Sequence, residues 1–214
     1  LDFAVGTHRM ACLPDVIERV LQTGQPVLEA GEEGYDETAL GGHLVTGKTT
    51  SAFVNILFGC NRQCAYCVVP TVRGPEWSRP AVSVLDEVRK LAAAGVREVT
   101  LLGQSVMSYG AANPVWPDGT ASLRGFREPL PRLLEAVNDI EGIRRVRFTS
   151  GHPSGCTEEL ARAMAELPAV CEHLHLPLQS GSDRILGRMR RGYTMDGYRR
   201  AADRLRRAVP AIAF

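Results

Sequence analysis

The sequence predicts an α/β fold: a parallel sheet with helical crossovers, either open or closed into a barrel. Two observations carry this. Short apolar runs alternate with stretches whose apolar residues recur at helical spacing, in a rhythm of about forty residues, and such alternation implies right-handed crossovers between parallel strands. Polar and glycine-rich segments follow four successive apolar runs, where a parallel sheet gathers its functional residues beyond the carboxyl ends of its strands. The chain has 214 residues, enough for one sizeable core, and its 44% hydrophobic and 23% charged residues exclude collagen-like, coiled-coil or largely disordered organisation. No apolar run approaches the ~18 residues that a membrane-spanning helix needs. The opening Leu1-Asp2-Phe3-Ala4-Val5 has neither a basic region nor a cleavage site of a signal peptide, and its lack of an initiator methionine suggests a fragment.

Taken in order, residues 2–5 read as a strand, followed by Leu13, Val16, Ile17, Val20 and Leu21 at helical spacing. Pro14 suits the start of that helix and Gly24 its end. Residues 26–51 turn acidic and glycine-rich, with Gly31, Gly34, Gly41, Gly42 and Gly47, and read as a linker. The main domain is expected from residue 52 to the end, with residues 1–25 as the tail of a preceding α/β domain. In it, 52–58 is an apolar strand, and Ser83 is expected to cap a helix that shows Val84, Leu85, Val88, Leu91 and Ala92 on one face and stops at Gly95. Strands are expected at 98–102, at 144–149 with Val146 and Phe148 on one side, and at 172–178, with helices at 131–137 and 158–167. Net charge is +1, but unevenly spread: eight acidic residues face three basic ones over 1–51, and nine arginines face three aspartates over 181–210. The basic block suits either a solvated helix face or contact with phosphate.

The strand ends carry the chemistry: Gly59-Cys60, then Gly103-Gln104-Ser105, Ser150-Gly151-His152-Pro153, and Pro177-Leu178-Gln179-Ser180. Together they suggest one shared pocket. Three of the six cysteines fall within Cys60-Asn61-Arg62-Gln63-Cys64-Ala65-Tyr66-Cys67, a spacing too tight to staple distant loops, which indicates a reducing, cytoplasmic setting and a metal site. Zinc would want a fourth ligand, for which His152, His173 and His175 are single candidates. Three thiolates on a cubane iron–sulfur cluster instead leave one iron open. Arg62 and Arg73 would offset the negative charge of such a cluster. Cys12, Cys156 and Cys171 read as small buried hydrophobes.

The triplet resembles that of the radical S-adenosylmethionine enzymes. Residues 59–70, Arg73-Gly74, Ser78-Arg79-Pro80, residues 101–106, residues 149–153 and residues 175–186 look like the methylthiotransferase branch. Val68-Val69-Pro70, Glu76-Trp77-Ser78-Arg79 and Leu102-Gly103-Gln104 look most like its tRNA-modifying type, whose substrate is isopentenyladenosine beside the anticodon. By that resemblance the domain is a partial six-stranded (β/α) barrel, truncated at its C-terminus. Cys60, Cys64 and Cys67 would hold a [4Fe–4S] cluster whose open iron takes S-adenosylmethionine. Tyr66 would lie near the adenine, Gly103 and Gln104 near the methionine part, and Gln179 and Ser180 near the ribose; Ser150 and His152 would line the same pocket. The resemblance further implies an electron donor, a second [4Fe–4S] cluster in a longer parent, and a 214-residue chain that does not complete methylthiolation alone. A methylthiotransferase acting on a ribosomal-protein aspartate and a zinc-stabilised RNA-binding module are the alternatives.

Overall fold

The computed structural model describes residues 1–31, 49–117 and 120–214. Its centre is a three-stranded, wholly parallel sheet of β3 (Ser51–Asn55), β6 (Glu98–Leu102) and β7 (Arg145–Phe148), in the order β3-β6-β7. Val99 pairs with Val146 and Leu101 with Phe148, so one face of the sheet is a continuous apolar surface that also takes in Val54. Helices cover that face. They are α3 (Ala81–Ala93), α4 (Pro129–Asn138) and α5 (Glu158–Glu166), and they bury Val84 and Val88, Leu133 and Leu134, and Leu160 and Met164 respectively. The sheet is open, as an α/β fold covering part of a barrel requires.

Ahead of it, β1 (Phe3–Val5) pairs in parallel with β2 (Val27–Glu29) around α1 (Leu13–Thr23), which ends at Gly24 with φ 64°. The expected linker therefore begins with a strand, because Val27 is buried beside α1 and its N–H donates to the Asp2 carbonyl. Most of that linker, including Gly34, Gly41, Gly42 and Gly47, lies outside the described residues.

The single strand expected at 52–58 is two. At Ile56 the chain changes partners: its N–H goes to the Leu102 carbonyl, while its own carbonyl accepts the Arg79 N–H. The next two residues, β4 (Leu57–Phe58), then pair antiparallel with β5 (Trp77–Ser78). This short ladder closes the neck of the loop that carries the cysteine triplet and a one-turn helix α2 (Val69–Arg73). Ser83 does not cap α3. That helix starts two residues earlier behind Pro80, and its first N–H, on Ala81, is met by the Val115 carbonyl.

The strand expected at 172–178 is reduced to one isolated bridge, His173 to Ala213, with another, Val146 to Val170, just ahead of it. The His173 N–H folds back onto the Cys171 carbonyl and Pro177 has no N–H to give, so no ladder propagates. Leu174 and Leu176 are nonetheless buried. The basic block forms α6 (Asp183–Arg188) and α7 (Met195–Ala208), the latter capped by Thr194. No described helix is long and apolar enough to cross a membrane.

Candidate functional site

The cysteine loop is shaped by its entrance. Gly59 has φ 70°, and a β-carbon there would run into the Pro75 carbonyl oxygen, so the outgoing and returning chains touch where only glycine fits. The Cys60 N–H donates to the Gly74 carbonyl at 3.2 Å. Inside the loop, the Cys67 N–H donates to the Cys64 carbonyl at 3.1 Å and the Arg62 N–H to the Cys60 sulfur at 3.4 Å. The Ala65 N–H reaches across to the Met189 carbonyl at 3.1 Å, which pins the loop to the end of α6.

These residues form one wall of a cavity of about 200 Å³ at the carboxyl ends of the strands. Cys60, Cys64, Cys67 and Arg62 come from the loop. Gln104 and Ser105 follow β6, and Ser150, Gly151 and His152 follow β7. His175, Pro177 and Gln179 complete the rim, and Arg191 closes it from beyond α6. Ser150 (φ 56°), Gln179 (φ 67°) and Arg190 (φ 55°) are the non-glycine residues with left-handed backbones among those described. Two line the cavity and the third precedes a residue that does. Strain of this kind persists where surrounding structure imposes it, characteristically at functional sites.

Burial dominates the electrostatics. It pushes the Cys60 thiol up, against the Arg62 N–H at its sulfur and with the help of Glu76. It pulls the Arg62 guanidinium down, opposed by Cys60 and Glu76. His152 is held down at about 4, first by burial and then by the charges of Arg62 and Arg191.

The donor set suits a soft, negatively charged metal–sulfur group: three thiols with two guanidinium groups among them. Among the described residues no three His, Cys, Asp or Glu side chains converge on one ion, so the thiols are spread along the wall. Gln104 Oε1, Arg62 Nε and Arg191 Nε are buried without hydrogen-bond partners, an arrangement that favours a polar ligand. Gln104 Oε1 could accept from an ammonium group.

Of the residues singled out from sequence, the three cysteines, Gln104, Ser150, His152 and Gln179 share the cavity. Gly103 stands just outside it, where a β-carbon would lie 2.8 Å from the Leu57 carbonyl oxygen; its lack of a side chain lets the end of β6 approach β4. Tyr66 is 54% exposed and outside the lining, its hydroxyl 3.3 Å from Arg191 Nη1. Ser180 is also outside, its hydroxyl accepting the Ser182 N–H. Arg73 does not reach the wall; Arg191, indistinguishable in sequence from the other arginines of the basic block, does. His175, in sequence no more than a single zinc candidate, accepts the Ser150 N–H at its Nδ1 at 3.2 Å.

Residues 54–214 match the Radical SAM superfamily. Three curated relatives are each named tRNA-2-methylthio-N(6)-dimethylallyladenosine synthase. The one from Caldicellulosiruptor saccharolyticus is 44% identical over 214 residues, all of this chain and 43% of that protein. The one from Geobacter sulfurreducens is 43% identical over 216 residues, again all of this chain and 46% of that protein. The Methylacidiphilum infernorum protein is 39% identical over 217 residues, all of this chain and 45% of its own length. The chain thus spans under half the length of these relatives. Among solved structures, a radical S-adenosylmethionine methyltransferase from Kitasatospora setae, with cobalamin and a [4Fe-4S] cluster bound, matches with TM-score 0.53 and 20% identity over 75% of this chain and 28% of that one. The cobalamin-dependent S-adenosylmethionine radical enzyme OxsB matches with TM-score 0.55 and 12% identity over 73% and 22%. At these identities the likeness concerns the fold.

Proposed function

The chain belongs to the radical S-adenosylmethionine superfamily, and from that premise we propose that it is the radical portion of a tRNA methylthiotransferase acting on N6-isopentenyladenosine. Membership implies a [4Fe–4S] cluster and S-adenosylmethionine. The observation that carries the assignment of residues is the shared cavity, which Cys60, Cys64 and Cys67 line together with Gln104 and Gln179.

In this reading the three thiolates hold three irons and leave the fourth for the amino acid end of S-adenosylmethionine. When bound, the cluster supplies the electron for homolytic cleavage of that molecule, the source of a hydrogen-abstracting radical. The protein's own part is placement. Gln104 Oε1 would accept an N–H of the cofactor's amino group, which answers an otherwise orphaned buried oxygen. His152, neutral at physiological pH, keeps the rim beside Ser150 and Gly151 in place without adding charge. Tyr66, Ser180 and Gly103 lie outside the cavity lining, and Gly103 acts by close packing of β6 on β4.

The names and identities of the relatives support tRNA as the substrate. So do the exposed Arg184, Arg188 and Arg190 of the segment that the Ala65–Met189 bond ties to the cysteine loop. A cytoplasmic setting, an external one-electron donor and a second cluster in a longer parent belong to the same reading. Anaerobic reconstitution with iron and sulfide tests it: about four irons per chain with a brown absorption band are expected, both lost when Cys60, Cys64 and Cys67 become alanine. Zinc in place of iron, or iron retained by the triple variant, would overturn it.

A further inference from the structure

We propose that Arg191 is a positioning residue of the cysteine loop, and that its fixed positive charge sets how readily the bound cluster accepts an electron. The inference rests on the reading that the cysteines bind that cluster. Arg191 Nη1 donates to the Cys64 sulfur at 3.1 Å and to the Tyr66 hydroxyl at 3.3 Å, gripping two members of the loop with one nitrogen. The residue is buried, its guanidinium carbon lies 5.7 Å from the centre of the Tyr193 ring, and that ring is itself fixed by a 2.8 Å bond from its hydroxyl to the Leu178 carbonyl. The Arg191 carbonyl faces His152 Nε2 at 3.2 Å. Main chain and side chain are therefore both held.

The backbone explains why this arginine alone of its run turns inward. After α6 the Arg191 N–H returns to the Leu186 carbonyl and the Arg190 N–H to the Gly187 carbonyl, the paired bonds of a helix end that reverses through a left-handed residue. That residue is Arg190, with φ 55°, where glycine is usual. The reversal leaves Arg190 exposed and carries Arg191 into the cavity wall.

Burying a guanidinium is unfavourable unless an anion answers it. No carboxylate lies within ion-pair distance of Arg191 among the described residues; its neighbours are a thiol and two phenols. A thiolate-bound cluster supplies the missing negative charge. One-electron reduction by an external low-potential donor adds a further negative charge, and the guanidinium, protonated before and after, favours the more negative state.

The test is a redox titration of the full 214-residue chain, reconstituted anaerobically and followed by electron paramagnetic resonance with dithionite as reductant. Arg191→Gln and Arg191→Lys are compared with the unsubstituted chain, with iron content and circular dichroism measured on each. The expected result is a lower midpoint potential in Arg191→Gln at unchanged iron, with Arg191→Lys between it and the parent. Iron lost from Arg191→Gln alone, with native circular dichroism, also supports the positioning role. A potential that does not move, iron lost from both variants, or loss of native circular dichroism in both would overturn it. A parent chain that takes up no iron sinks the cluster reading and this inference together, whereas a loaded parent with an unmoved variant sinks only the inference.

Discussion

His152 Nε2 lies 3.2 Å from the Arg191 carbonyl oxygen, so the segment beyond β7 is tied to the turn that ends α6. The ring's other nitrogen, Nδ1, accepts the Ser154 N–H at 3.2 Å. These contacts assign a neutral ring that donates from Nε2 and accepts at Nδ1, a tautomer deduced from its partners.

That neutrality gives the fold a pH signature. Burial, then Arg62 and Arg191, hold His152 at about 4 against an ordinary value of 6.5. An unfolded chain takes up a proton near 6.5 that the folded chain refuses until about 4. Stability from this residue is complete above the upper value and falls through the window as pH drops, by about 3 kcal/mol at its acid end. Urea midpoints of the cluster-free chain should fall more steeply between about pH 7 and pH 4.5 than those of His152→Gln; parallel slopes would contradict the assignment.

Gly59→Ala should damage both the fold and the site. It combines a left-handed backbone with a collision against the Pro75 carbonyl, and an expected loss of about 2 kcal/mol follows from strain of that kind. Gly24→Ala is the control, because it shares the left-handed backbone but has nothing within 4 Å of the added carbon. Thermal melts should rank Gly59→Ala below Gly24→Ala, and only the former should lose reconstituted iron. Equal melting temperatures would remove the close approach to Pro75 as a cause.

Arg184, Arg188 and Arg190 are exposed on and just after α6, and three glutamines in their place should weaken binding to a tRNA transcript. Because pairing with phosphate releases counterions, the slope of log affinity against log salt should also become shallower, by roughly one for each phosphate that is no longer neutralised. Fluorescence anisotropy at several salt concentrations reads both quantities. Unchanged affinity would place the RNA elsewhere on the molecule.

Short-range chemistry was the legible part of this protein. Cys60, Cys64 and Cys67 are close in sequence and share a wall because one loop carries them, and the strand expected at 98–102 matches β6 residue for residue. What hid was set by tertiary partners. Ile56 breaks one apolar run into two strands because its N–H bonds to Leu102 on one side and its carbonyl to Arg79 on the other, which no local pattern records. Arg191 was hidden among nine arginines, since its inward turn depends on a left-handed Arg190 that propensity would have given to glycine.

The neck formed by Leu57–Phe58 and Trp77–Ser78 bears on how a cluster would assemble. An open chain must give up loop-closure entropy to gather three sulfurs, and small zinc domains recover it only by folding around their metal. Here the loop is already closed, by a ladder whose members Leu57 and Phe58 belong to the core rather than to the ligand set. The thiols would thereby be held at high effective concentration ahead of any metal, so that loading would fill the fold rather than cause it.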